Sequence, residues 1–203
     1  MTAAEHHRTQ ARPEVHAWVD ESMQAETLRS PAMYILAATY ADPTTCGPTR
    51  TAMRDLLLGK VPRLHWHAED QARQRKISAT IAGCETLCTV VIATPLDPKK
   101  QERARRKCME RLFYELDQLG VTQVLLETRT ESLNKRDRQM IAALRGSGVL
   151  PRHMRVDFEL PSVEPMLWVA DAVAGAVGLA RKAVDNSHLL TLGALVEQIE
   201  ISL

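Results

Sequence analysis

The sequence carries almost no net charge: 26 lysines and arginines face 25 aspartates and glutamates, for a formal +1 at pH 7. No global field therefore draws it towards nucleic acid or an anionic membrane, and any electrostatic footprint has to be local. It also lacks the cysteine density of a disulfide framework. The four cysteines are Cys46, Cys84, Cys88 and Cys108, with no paired CxxC motifs. A reducing cytoplasm is the simplest expected setting. No apolar run is long enough to span a membrane. The longest, 166–180, falls short of the roughly 20 residues a span needs, and Asp171 interrupts it where a lipid-facing helix would avoid a carboxylate. The opening segment is polar, with His6, His7 and Arg8, and has no apolar centre of a secretory signal. Residues 1–13 are expected to form a disordered leader to a single domain over 14–203. Internal repeats and long linkers are absent too.

What is present is enough for a full core. A chain of 203 residues with 45% hydrophobic and 25% charged residues can fold without covalent staples. Short apolar runs at 15–19, 31–40, 87–93, 121–127 and 154–159 read as strands, and 64–67 as a further short one. The run at 87–93 (LCTVVIA) is continuous and β-branched, which suits a strand buried on both faces. Helical spacing predicts helices over 49–58, closed by Gly59, over 70–82, over 98–119, ended by Gly120, over 133–144 and over 165–183. Residues 186–203 fit a helix, a strand or both. After an opening hairpin-like pair, strands and helices alternate, which argues for an α/β fold with a mixed sheet flanked by helices.

Three acids stand where such a fold places chemistry. Asp20 follows the first apolar run, at the expected carboxyl end of a strand; capping of a turn is the alternative. Glu21 is expected to face the other way, because adjacent strand residues alternate. Glu127 ends the strand at 121–127, with pairing to Arg129 as the alternative. Asp171 has Leu167, Trp168, Ala174 and Gly175 as its helical neighbours, and an ionised carboxylate there is costly unless it is paired or metal-bound. The alternative is a buried Asp capping a loop. Small residues around Asp171 would let its helix approach the sheet closely. Carboxylates converging from two strands and a helix could hold hard cations such as Mg²⁺ or Mn²⁺, which take oxygen ligands and serve phosphodiester hydrolysis. An apo carboxylate cluster repels itself, so Asp171→Asn is expected to be neutral or stabilising without metal.

Two further features bear on function. In His65-Trp66-His67-Ala68-Glu69-Asp70, His67 or Glu69 is a candidate assisting acid or base. With Cys84 and Cys88, His65 and His67 could instead form a zinc site. Lys99, Lys100, Arg103, Arg105, Arg106 and Lys107 crowd the start of a long helix. They read either as phosphate contacts, with Lys99, Lys100 and Arg103 foremost, or as a solvated face. Positive charge there opposes the helix dipole, so helix stability does not explain it.

Val19-Asp20-Glu21-Ser22, Leu64-His65-Trp66-His67-Ala68-Glu69, Glu127-Thr128-Arg129 with Asn134 and Asp137, and Trp168-Val169-Ala170-Asp171-Ala172-Val173-Ala174-Gly175-Ala176 follow one another in this order. In that order the sequence resembles the bacterial domain-of-unknown-function 3800 family over about residues 15–181. The resemblance implies a ribonuclease-H-like fold and an acidic core of Asp20, Glu127 and Asp171, with Glu69 or His67 as a fourth member. Two departures are Met23, where the family often has Gly, and Glu127, where it commonly has Asp. The leading expectation is a Mg²⁺- or Mn²⁺-dependent nuclease or related phosphoryl-transfer enzyme acting on nucleic acid. The alternative is a catalytically silent nucleic-acid- or protein-binding module.

Overall fold

A strand whose alternate residues are apolar on both sides needs cover on both sides, and the first strand sets that requirement. The computed structural model describes residues 14–203; the expected leader at 1–13 lies outside the described residues. Strand β1 (Val15–Gln24) pairs antiparallel with β2 (Met33–Ala41) over nearly its whole length. Strand β2 pairs antiparallel with β3 (Leu87–Ala93). Strand β4 (Val121–Glu127) lies parallel to β1, and β5 (Arg155–Glu159) parallel to β4. The last strand, β6 (Val196–Ile201), runs parallel to β3, so the order across the sheet is β5-β4-β1-β2-β3-β6.

Helices cover both faces. Trp18, Ile35, Ala37, Val90 and Ile92 bury one face against α5 (Met166–Arg181), with α1 (Gly47–Arg54), α2 (Gln71–Ala82) and α6 (Ser187–Leu192) completing that layer. Ala17, Val19, Leu36 and Val91 bury the other face against α3 (Gln101–Gln118) and α4 (Glu131–Gly146). The strand at 87–93 is covered from Cys88 onward on both sides, as its β-branched run requires. Gly120 follows α3 with φ +74°, a left-handed turn that favours glycine. Among the described residues no helix is long and apolar enough to cross a membrane. The segment at 186–203 is both a helix and a strand.

Three expectations change. The first strand does not stop at residue 19 but runs to Gln24, because β2 continues to pair with it. Helix α1 is shorter than 49–58 and ends at Arg54, and Gly59 sits in a later turn at φ +65°. The segment at 64–67 is not a strand. His65 is extended, and Trp66–Ala68 then closes into a single 3₁₀ turn that buries Trp66 completely.

The small residues of α5 have a specific use. A Cβ at Gly175 would stand 2.1 Å from Cδ1 of the Trp66 ring. The missing side chain is what lets the indole lie against the helix. Gly175→Ala is expected to cost ~2–3 kcal/mol by overpacking, lowering the thermal midpoint by roughly 5–10 °C for a domain of this size. Gly146→Ala, with nothing within 4 Å of its added Cβ, is expected to leave the midpoint unchanged or slightly raised. Parallel melts of the two variants check this.

Candidate functional site

The register of the sheet creates the site. β1 pairs with β4 only as far as Val19↔Leu126, while its pairing with β2 continues through Gln24↔Met33. Beyond Val19 the strand has a neighbour on one side only, and the sheet opens there. Asp20 and Glu127 are the next residues along their parallel strands. Two residues beyond Trp18 and Leu125, they project to the same face as that pair, towards α5. Asp171 comes down from α5 on this face. Asp20 is thus not at the end of its own strand but at the point where its neighbour ends.

The three acids and His67 line one cavity of about 340 Å³. Asp20 is crowded from two directions. Burial, followed by the negative charges of Glu127 and Asp171, holds its carboxyl well above the usual carboxylate range, and a hydrogen bond with Glu127 adds to this. Asp20 Oδ1 also accepts the backbone N–H of Glu21 at 2.7 Å.

Asp171, 6% exposed, is held by the His65–Ala68 turn. The Trp66 backbone N–H donates to Asp171 Oδ2 at 2.8 Å, and His65 Nδ1 lies 3.1 Å from the same oxygen. That hydrogen bond is the main reason the His65 pKa is raised. Glu127 Oε1 receives Arg63 Nη1 at 2.8 Å. His67 Nε2 lies 3.4 Å from Ser22 Oγ, which in turn accepts from Gln24 Nε2 at 2.7 Å.

The opposite face of the same strand segment holds a second charged cluster. Glu21, one residue on from Asp20, contacts Arg105 and accepts the Tyr34 hydroxyl at 2.7 Å. Arg105 makes two hydrogen bonds to the fully buried Asp137, at 2.9 and 3.0 Å. Arg129 makes two more to Asp137, at 3.1 and 2.7 Å. Burial pulls the Arg105 pKa down, and its pairing with Asp137 opposes that. Removing one partner of such a buried set would strand the others uncompensated.

Several expected site residues fall elsewhere. Glu69 is not beside the acids, because the 3₁₀ turn carries it away and its carboxylate pairs with Arg73 at 2.9 Å. Lys99, Lys100 and Arg103 do not line the acidic cavity; Lys100 and Arg103 line a small separate one with Asp97. Arg105, grouped with them in the sequence, is an internal ion-pair partner. Its spacing from Cys108 and Leu112 puts it on the apolar face of α3, which was the available signal. Arg106 and Lys107 both pair with Glu110. The zinc arrangement does not form. Cys84 Sγ donates to the Thr80 carbonyl and Cys88 Sγ to Thr39 Oγ1, while His65 turns to Asp171. Arg63 had no signal in sequence, since it sits in an irregular loop.

No family model matches the chain, and no curated relative does. Among solved structures, a chain of the PCNA:RNase HII complex from Archaeoglobus fulgidus matches with a TM-score of 0.53 at 13% identity, over 84% of this chain and 79% of that chain. The fold is ribonuclease-H-like. At that identity the likeness extends to the fold alone, and the chemistry of this ribonuclease-H-like chain has to be argued from its own cavity.

The donor set fits a hard divalent cation. It is made of carboxylate oxygens, and Asp20 sits in excess negative charge that a cation would relieve. As the side chains stand, no three His, Cys, Asp or Glu residues among the described ones meet at ligating geometry. Arg63 holds Glu127 Oε1 in that arrangement, while Glu127 also shares a hydrogen bond with Asp20.

The structure moves the electrostatic strain from Asp171, where the sequence placed it, to Asp20. Asp171 is compensated by a backbone N–H and His65. With its raised pKa, the native state holds the Asp20 proton more tightly than the unfolded chain does. The associated stability is fully present below the ordinary carboxylate pKa and is lost as pH rises through the folded value. In chelator-treated protein, Asp20→Asn is therefore expected to raise the thermal midpoint by several degrees at neutral pH and to change it little in mild acid. Melts of both proteins across pH check this. An equal gain at every pH would contradict it.

Proposed function

We propose that the chain is a Mg²⁺- or Mn²⁺-dependent nuclease, or a related phosphoryl-transfer enzyme, acting on nucleic acid. The observation that carries this reading is the convergence of Asp20, Glu127 and Asp171 from β1, β4 and α5 at the opening of a ribonuclease-H-like sheet. The resemblance in motif order to the domain-of-unknown-function 3800 family implies the same acidic core of Asp20, Glu127 and Asp171. Asp20 and Asp171 would be the principal ligands, and Glu127 the third. A divalent cation held there would supply Lewis-acid polarisation of the phosphodiester and lower the pKa of water.

The protein's own groups have separable tasks. The Trp66 N–H fixes Asp171 in one orientation through Oδ2. The Glu21 N–H does the same for Asp20 through Oδ1. His67 lines the cavity with Nε2 turned to Ser22, where a ring nitrogen can take up or release a proton. Lys99, Lys100 and Arg103 are proposed as phosphate contacts outside the cavity. They flank Glu102, which reaches the cavity-lining Arg129 at 3.4 Å, so the first turn of α3 lies on that side of the opening. Glu69, tied to Arg73, has no part in this assignment.

The Arg63–Glu127 ion pair favours a second reading, a catalytically silent nucleic-acid- or protein-binding module in which an arginine neutralises the acid site. Metal response separates the two. The nuclease reading predicts that Mn²⁺ raises the thermal midpoint of the wild-type chain and not of Asp20→Asn. It also predicts that cleavage of a panel of RNA, DNA and hybrid substrates requires Mg²⁺ or Mn²⁺ and disappears in Asp20→Asn. Lys100→Ala with Arg103→Ala is expected to weaken binding and lower the salt slope by about 2, one per lost phosphate contact. No Mn²⁺ shift and no cleavage across the panel would leave the silent module. Cleavage that survives in Asp20→Asn would exclude this site as its source.

A further inference from the structure

A second concave surface lies at the edge of the sheet, between the C-terminal half of α4 and β5. It is a groove of about 900 Å³ and shares no lining residue with the acidic cavity. Its apolar lining comes from Ile141, Val156 and Phe158, and its charged lining includes Arg138, Arg145 and Arg152.

Two properties distinguish it. First, β5 is an outermost strand, paired only with β4, so its other side offers backbone donors and acceptors to an added strand. Second, the groove gathers arginines that have no carboxylate partner. Nine arginines, from Arg50 to Arg181, have such partners; of the eight among the described residues that do not, Arg138, Arg145 and Arg152 line this one groove. Arg145 donates only to the Met154 carbonyl. The one acid in the groove, Asp157, lies 3.7 Å from Arg155.

We infer that this groove docks an extended, acidic segment of a partner protein, which adds to the free edge of β5, seats alternate apolar side chains against Ile141 and Val156, and sets its carboxylates against Arg138, Arg145 and Arg152. An edge strand beside an apolar floor is the geometry of strand addition, in which main-chain hydrogen bonds give affinity and alternate side chains give selectivity. The three unpaired arginines fix the sign of the partner's charge. A nucleic-acid strand is the less suitable occupant. The only aromatic side chain of the groove, Phe158, already carries the Arg138 guanidinium 5.2 Å from its ring centroid, so that face is taken from base stacking.

The test is a selection of short random displayed peptides on the full chain, with Arg138→Glu/Arg152→Glu as the comparison target. Both positions are exposed, so the variant is expected to keep the wild-type melting midpoint. Enriched sequences should alternate acidic and apolar residues. The synthesised winners should bind the variant roughly tenfold more weakly or worse. They should also slow amide exchange across Arg155–Glu159 in the wild-type chain. A single-stranded polythymidine probe is run beside them. Overturning results are enrichment without acidic bias, equal binding to the charge-reversed variant, or β5 amides left unprotected. Polythymidine that binds through the same arginines and protects β5 where peptides do not would equally overturn the inference and assign the groove to nucleic acid.

Discussion

The rest of the site depends on the burial of the Asp20 carboxyl beside two other carboxylates. Strand β1 brings Asp20 to the one point where its parallel neighbour has ended and its antiparallel neighbour continues. Glu127 stands beside it and Asp171 descends onto it. Burial, and after it the charges of Glu127 and Asp171, hold the Asp20 carboxyl well above the usual carboxylate range. The neighbouring contacts can be understood as ways of holding that charge. The Trp66 N–H and His65 carry Asp171, and Arg63 carries Glu127. Asp20 has the Glu21 N–H and a hydrogen bond with Glu127.

Beyond Val19, β1 has only β2 beside it in the sheet, and its second face supplies further support. On the other face Glu21 joins Arg105, Tyr34 and Arg129, and both arginines converge on Asp137. These groups come from β1, β2, α3, the β4–α4 connection and α4. The strand segment that presents Asp20 on one side is therefore tied on the other to β2, α3 and the β4–α4 connection and, through Asp137, to α4. Such a buried ionic set favours the arrangement in which every charge is paired, because any vacancy in it leaves a charge unpaired. A precisely placed carboxylate on a half-paired strand needs that kind of support.

The positions of Asp20, Glu127 and Asp171 were legible in sequence because each acid breaks an otherwise apolar run, and an apolar run records what the sheet or helix buries. Strands β3 and β4 were legible to the residue for the same reason. The limits lie where side chains at a distance decide the backbone. His65–Ala68 alternates like a strand, yet the Trp66 ring is drawn beneath Gly175 and the chain turns, which takes Glu69 to Arg73. Arg105 looks like one more charge in a basic run, and only its spacing from Cys108 and Leu112 betrays an inward direction. An acid following an apolar run resembles a terminus, so the sequence predicts too early an end for β1, whereas pairing with β2 carries the strand on. Arg63 lies in an irregular loop, where periodicity says nothing.

The most direct measurement of the central claim is the titration of the Asp20 carboxyl carbon by ¹³C NMR, assigned with Asp20→Asn, in chelator-treated protein and again with Mg²⁺. The account predicts a midpoint well above the ordinary carboxylate range without metal, falling when Mg²⁺ binds and takes the place of the proton. An Asp20 that titrates in the ordinary range, with no response to Mg²⁺, would contradict it.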